Sequence, residues 1–241
     1  FAIMKSLIFI YFLTFLYGQS VPFKVGETLT YKAFFTGIEA GIGQLRVISL
    51  DSLGDKSAYR IRFSAQTKGF VDFIFSIDDN IDIWLDHQSL STLKVNKKVR
   101  EGKYKKDSKT TLYHEQGFAL VDRDTVKIDK NVFSPYTLFY SLRLKNLTEL
   151  AGVVYHIIDG KDTTPLKLSV NENVAIRVPA GSYNCTKITP KRMDKRKFKN
   201  EATMSIWFSK DEHRYPVKIW LKLKFGALVL ELEKISNSRD G

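Results

Sequence analysis

The residues best placed to do chemistry are a group of aspartates, four histidines, one cysteine and two dense runs of lysine and arginine. Asp78, Asp79, Asn80 and Asp82 are spaced like the start of a calcium loop, yet the glycine that turns such a loop and the distal bidentate glutamate are missing. If 77–85 is a strand, alternation puts Asp78, Asp82 and Asp86 on one face with Trp84, where paired carboxylates could act as acid and base on a glycosidic bond. A solvated strand face is the simpler account of the same pattern. His87, His114, His156 and His213 show no H-x-x-H or H-E-x-x-H spacing, so nothing local assembles a zinc site. His156 lies in the apolar run Val153 to Ile158 and reads as a half-buried structural residue. Cys185, followed by alternating strand residues, reads as a small core side chain. There is no G-x-S-x-G, P-loop or G-x-G-x-x-G; Gly41-Ile42-Gly43 stops short and suits a bulge or a close backbone approach. These patterns lead us to expect no catalytic residue, no metal and no cofactor.

The basic runs are the stronger candidates. Lys94, Lys97, Lys98, Arg100, Lys103, Lys105, Lys106 and Lys109 cluster across one expected hairpin, and Lys191, Arg192, Lys195, Arg196, Lys197 and Lys199 crowd another. If the two tips meet, they make a patch for phosphate or carboxylate groups, with Tyr104 and Phe198 as stacking surfaces. Solvated tips that discourage edge-to-edge pairing would have the same composition. Trp207 and Trp220 fall among the polar residues of their strands and either cover the outer sheet face or line a groove; packing is the favoured reading.

The elements that must position these residues are strands. Val217 to Phe225 alternates apolar and polar, and a turn at Gly226-Ala227 would lead to Leu228–Leu232, pairing Leu223 with Leu230 and setting Lys222 against Glu231. Shorter alternations recur at Leu29/Tyr31/Ala33/Phe35, Tyr59/Ile61/Phe63/Ala65, Ile81/Ile83/Leu85, Leu93/Val95 and Met204/Ile206/Phe208. Two stretches differ. Phe70, Phe73, Ile74 and Ile77 have helical spacing and suggest a short helix packed on the sheet. Ser134-Pro135 opens a helix over about 135–144, capped by Ser134 and apolar on most sides, so it should lie buried against or inside the sheet. The expected fold is therefore mainly β: antiparallel strands forming a curved sheet, half-barrel or barrel-like sandwich, with one or two short helices packed against it.

Met4-Lys5 followed by the apolar run Leu7 to Tyr17 has the layout of a signal peptide, and such a run is too short for a bilayer core that needs ~20 helical residues. Residues 1–20 are thus expected to be cleaved, leaving one β-rich domain over 21–241 in the periplasm or outside the cell; an uncleaved anchor is the competing reading. Cys185 lies far from that site, so no lipid anchor is expected, and being alone it makes no internal disulfide. A net charge of +12 favours anionic partners, and export excludes nucleic acid among them.

Several stretches together resemble the bacterial envelope family known as domain of unknown function 3108. They are Phe23-x-Val25-Gly26-Glu27-x-Leu29-x-Tyr31, Ala40-Gly41, Val178-Pro179-Ala180-Gly181-Ser182-Tyr183-Asn184-Cys185, Ile206-Trp207-Phe208-Ser209-Lys210-Asp211, Arg214-x-Pro216-Val217 and Phe225-Gly226. The resemblance implies an exported β-rich protein of bacteria with an outer membrane and carries over no catalytic residue. The chain also looks similar to the open half-barrels that carry lipids and lipoproteins in the envelope. Three functions remain open: a non-catalytic module whose basic surface binds an anionic lipid head group or glycan, a periplasmic carrier of an apolar ligand or lipid, and a polysaccharide-acting enzyme. An envelope protein as partner, and the oligomeric state, are also left open.

Overall fold

A computed structural model describes residues 21–129, 132–193, 203–223 and 226–237. The expected signal segment and Lys195, Arg196, Lys197, Phe198 and Lys199 lie outside the described residues.

Among the described residues, fifteen strands form one continuous sheet. One wing runs through β1 (Glu27–Phe35), β2 (Ile38–Leu53), β3 (Lys56–Thr67), β4 (Asp78–Asp86), β5 (Thr92–Glu101), β6 (Tyr104–Tyr113), β7 (Phe118–Val121) and β8 (Asp124–Lys127). The other comprises β9 (Val132–Phe133), β10 (Val154–Asp159), β11 (Asp162–Val178), β12 (Gly181–Arg192), β13 (Thr203–Ser209), β14 (Pro216–Leu223) and β15 (Gly226–Asn237). Consecutive strands pair with each other except β8 and β9, and β1 pairs with both β2 and β15, so the first and last strands meet in the middle of the sheet. The edges, β8 and β9, come from the middle of the chain. The sheet curls until these edges face each other, which yields the mainly β, open barrel-like architecture expected from the alternation.

Side chains rather than backbone ladders bridge the edges. Leu112, Val121 and Ile128 of one wing pack against Val132 and Ile158 of the other. Polar contacts cross the same seam: Lys161 to Asp124 at 2.6 Å and Lys97 to Asp159 at 2.5 Å are ion pairs, and His156 Nδ1 lies 2.7 Å from an Asp129 carboxylate oxygen.

Helix α1 (Gly69–Ile74) connects β3 to β4, and α2 (Pro135–Arg143) fills the concave side of the sheet. Ser134 caps α2, its hydroxyl accepting from Thr137 N at 3.1 Å, while Pro135 takes a position that needs no N–H. Leu138, Tyr140 and Leu142 enter the main core with Leu29, Ile61, Ile83, Ile188, Ile206 and Phe208. Burial on most sides explains why this helix shows no clean polar face.

Three local expectations change. The β14–β15 pairing sets Leu223 opposite Gly226 and Lys218 opposite Glu231, a slide of four residues from the expected register. An even slide keeps every side chain on its face, so the apolar pattern could not reveal it. Gly226 is needed for space instead of for the turn: a Cβ there would lie 2.3 Å from Thr36 Oγ1, and its φ is +110°. Leu93 and Val95 do not share a face, because a bulge opposite Trp84/Leu85 turns Leu93 outward onto Trp84 and Ala58 while Val95 joins the core. Finally, α1 is not packed on the sheet, and it buries none of its residues. Helical spacing identifies an apolar face without saying what covers it.

Candidate ligand-binding cavity

Between the first turns of α2 and the two wings lies a cavity of about 470 Å³, within the range of small-molecule sites. Its walls are mostly apolar: Val99, Val121, Leu138, Ile157, Leu166 and Leu221. Lys97, Tyr104, Lys106 and Arg192 supply polar groups, with Asp122, Asp159 and Asp162 among them. Strand register explains how the bases arrive there. Lys97 pairs with Ser108 and Val99 with Lys106, so these four alternate onto the concave face. Lys97 is committed on two sides, to Asp159 and to the face of Tyr136 with its ammonium 5.2 Å from the ring centre. Burial pushes the Tyr136 phenol well above its ordinary value, with the negative charge of Asp159 adding to the effect.

The same register divides the first basic run. Lys98 pairs with Asp107 and Arg100 with Lys105 on the outer face, where Arg100 also bonds Asp107 at 2.6 Å. Lys103 sits in the two-residue turn between Glu101 and Tyr104. The run does form the expected hairpin, but period-two alternation spreads its charges over both faces and the tip. From the second run, Arg192 reaches the cavity beside Lys97 and Lys106, whereas Lys191 is exposed. Trp207 and Trp220 alternate with Ile206 and Ile219 onto the outer face, and neither lines the cavity. The ammonium of Lys187 lies 4.9 Å from the ring centre of Trp207, a packing role for that indole.

The carboxylate row proves structural. Both oxygens of Asp82 are held by guanidiniums, Arg60 at 2.9 Å and Arg62 at 2.8 and 2.9 Å. Asp78 accepts from Gln66 and Asn80, and Asp86 accepts from the backbone N–H groups of Gln88 and Ser89. Carboxylates four residues apart on a strand are separated by about 13 Å, whereas glycosidase pairs need roughly 5–9.5 Å. This removes the row as an acid/base pair. An open depression of about 540 Å³ above it is bordered by polar residues, among them Arg62, Asp82, Lys98 and Lys109. Cys185 is buried in the core as expected, and burial pushes its thiol up to about 11. Among the described residues no three of His, Cys, Asp and Glu gather as metal ligands, and no helix is long and apolar enough to cross a membrane.

One constellation was not visible in the sequence. Arg143, at the end of α2, donates to Glu27 through both terminal nitrogens at 2.7 and 2.9 Å, to the His213 carbonyl at 2.9 Å and to the Pro22 carbonyl at 2.9 Å. Phe23, Tyr140 and Tyr215 surround the guanidinium at 5.3 to 5.5 Å. The cluster fixes α2, and with it one wall of the cavity.

The family model described as protein of unknown function (DUF3108) matches residues 28–233. No curated protein matches the sequence. Among solved structures, a β-barrel-like protein of domain of unknown function DUF1849 from Brucella abortus superposes with a TM-score of 0.61 at 12% identity, covering 90% of this chain and 99% of that one. A putative exported protein with a YmcC-like fold from Bacteroides fragilis gives 0.39 at 10% identity, covering 90% and 98%. A hypothetical protein from Chlamydia trachomatis gives 0.41 at 7% identity, covering 90% of each chain.

Proposed function

The chain belongs to the DUF3108 family of proteins of unknown function, and from that premise we propose that it is an exported, non-catalytic binding module that takes an apolar chain bearing an anionic head group into the cavity beneath α2. The observation that carries this reading is the pairing of an apolar wall with Lys97, Lys106 and Arg192 in one partly open cavity. Removing an acyl chain from water favours entry at about 25 cal/mol per Å² of apolar surface, and a cation in a partly desolvated mouth favours a carboxylate or phosphate. Lys106 has no ion-pair partner among the described residues. Export is supported by the signal-like layout of residues 4–20, and the net charge of +12 favours anionic ligands in general.

The test is native mass spectrometry of the protein purified from its own cell envelope, joined to displacement of a fluorescent fatty acid from the purified chain. Co-purifying amphiphile and saturable displacement are expected. A clean protein mass together with no probe uptake would overturn the proposal.

A further inference from the structure

The junction between the two edges of the curled sheet lacks the backbone ladder that joins every other pair of neighbours. No ladder pairs β8 with β9 among the described residues, and a small apolar cluster separate from the main core seals the gap. The two ends of this seam differ. At one end Ile128 and Val132, four residues apart in the chain, both sit in the cluster, and His156, the ladder partner of Val132, meets Asp129. At the other end two hairpin tips face each other, the β7–β8 turn at Asp122-Arg123 and the β10–β11 turn at Gly160-Lys161. Among the described residues, side chains alone bridge the tips. Lys161 reaches Asp124 with both side chains more than half exposed, and Lys97 reaches Asp159 from the opposite wall of the cavity.

The same tips border the cavity: Asp122 comes from one, and Asp159, Gly160 and Asp162 from the other. Lys161 and Asp124 line no part of it. Parting the tips separates two ion pairs and one edge of the apolar cluster, whereas parting any other neighbouring strands breaks a ladder of backbone hydrogen bonds. An exposed pair such as Lys161–Asp124 adds little stability, because water solvates both charges once it breaks. Local opening follows the route that loses least. That route is the clasped end of the seam, while chain continuity holds the Ile128–Val132 end together.

We propose that the β7–β8 and β10–β11 tips form a gate: they part about the Ile128–Val132 end, releasing Lys161 from Asp124 and Lys97 from Asp159, and admit the ligand to the cavity. The role in entry rests on the ligand reading above, but the opening itself is measured on the ligand-free chain. Ile158, beside one tip, and Ile128, at the far end, are 3% and 5% exposed in the same cluster, so Ile158→Cys and Ile128→Cys are matched substitutions. Each introduced thiol is read against Cys185, buried in the main core of the same chain, by iodoacetamide labelling under native conditions. The Ile158→Cys thiol is expected to react at least about tenfold faster than Cys185, and the Ile128→Cys thiol at about the rate of Cys185. Equal ratios in the two variants, or an Ile158→Cys thiol no faster than Cys185, would overturn the gate.

Stopped-flow uptake and release of the fluorescent fatty acid test the role in entry. Lys161→Gln and Asp124→Asn should each speed both rates about threefold, the order that an exposed ion pair contributes, and leave the affinity unchanged. The two substitutions shift net charge in opposite directions, so mere steering of an anionic ligand would speed uptake in one and slow it in the other. That split, or unchanged rates in both, would rule out entry through the tips. A chain that shows the labelling difference yet takes up no fatty acid would overturn the ligand reading, with the opening upheld.

Discussion

Arg143 and Glu27 form a bidentate ion pair, 1% and 4% exposed, that joins the last turn of the internal helix to the first strand of the sheet. Glu27 lies 116 residues from its partner, and the Phe23-x-Val25-Gly26-Glu27 stretch that resembles the family pattern supplies both the carboxylate and one ring of the box around the guanidinium. Part of that pattern therefore anchors a helix.

Breaking the pair from one side leaves a buried charge without its partner, a cost of about 3–5 kcal/mol. Arg143→Leu and Glu27→Leu should each lower urea-unfolding stability by that order. The double variant should recover part of the loss, since no unpaired charge remains. A loss in the double variant equal to the sum of the two single losses would show instead that the two residues act independently.

Gly41 and Gly43 make a second contrast. A Cβ on Gly41 would stand 2.0 Å from the Gln66 carbonyl oxygen, which is backbone and cannot swing aside, whereas one on Gly43 would meet Leu230 Cδ2 at an ordinary 3.7 Å. Gly41→Ala should cost about 2 kcal/mol or more by forcing β2 and β3 apart, and Gly43→Ala less than about 1 kcal/mol. Thermal unfolding of the two variants checks the difference.

What the sequence disclosed follows from what period two can encode. Alternation along β1, β3 and β4 assigned the buried face correctly, and Ser134-Pro135 marked the start of α2, because both signals are local. A slide of four residues in the β14–β15 hairpin leaves alternation unchanged, so register was not legible. The bulge that turned Leu93 outward depends on the partner strand, as does the division of the basic run between the two faces. The cavity needs residues from both wings and α2, and the pairing of Glu27 with Arg143 needs the curl of the whole sheet. The exposure of α1 was the least legible, since its spacing is that of a packed helix.

Acid should unfold the protein partly through Asp82. Burial works to raise this carboxyl, but hydrogen bonds from Arg62 and Arg60 and their positive charges outweigh it and hold it below the usual range. A depressed group adds stability above its unfolded value of about 3.9, and that stability is lost as pH falls through the lower folded value. Asp82→Asn should be less stable than wild type by about 1–2 kcal/mol at neutral pH. The gap should close below about pH 4, as measured by urea unfolding over a pH series.

Cys185 provides a reporter of global opening. Its side chain is fully buried, and burial, assisted by Asp211, pushes the thiol up to about 11. The reactive thiolate is therefore both scarce and shielded in the folded chain. Iodoacetamide at mildly alkaline pH, reacting more slowly than the chain refolds, should label only the unfolded fraction, and Arg143→Leu should accelerate labelling by the factor by which it raises that fraction. Rapid labelling of stable wild type would place a local opening at β12.

Lys106 separates an anionic-ligand site from a merely greasy one. It stands opposite Val99, on the inner face, with its side chain at the cavity. Replacing it by glutamate leaves the apolar wall intact and reverses the charge that a head group would meet. A fatty acid should then displace the fluorescent probe about tenfold less effectively, equivalent to about 1.4 kcal/mol, while the fatty alcohol of the same length keeps its potency. If both ligands weaken together, the substitution has disturbed the cavity itself; if neither changes, the head group does not reach Lys106. Only the split between acid and alcohol assigns the recognition of charge to this residue, because the two ligands bury the same chain and differ at the one group that can feel the ammonium.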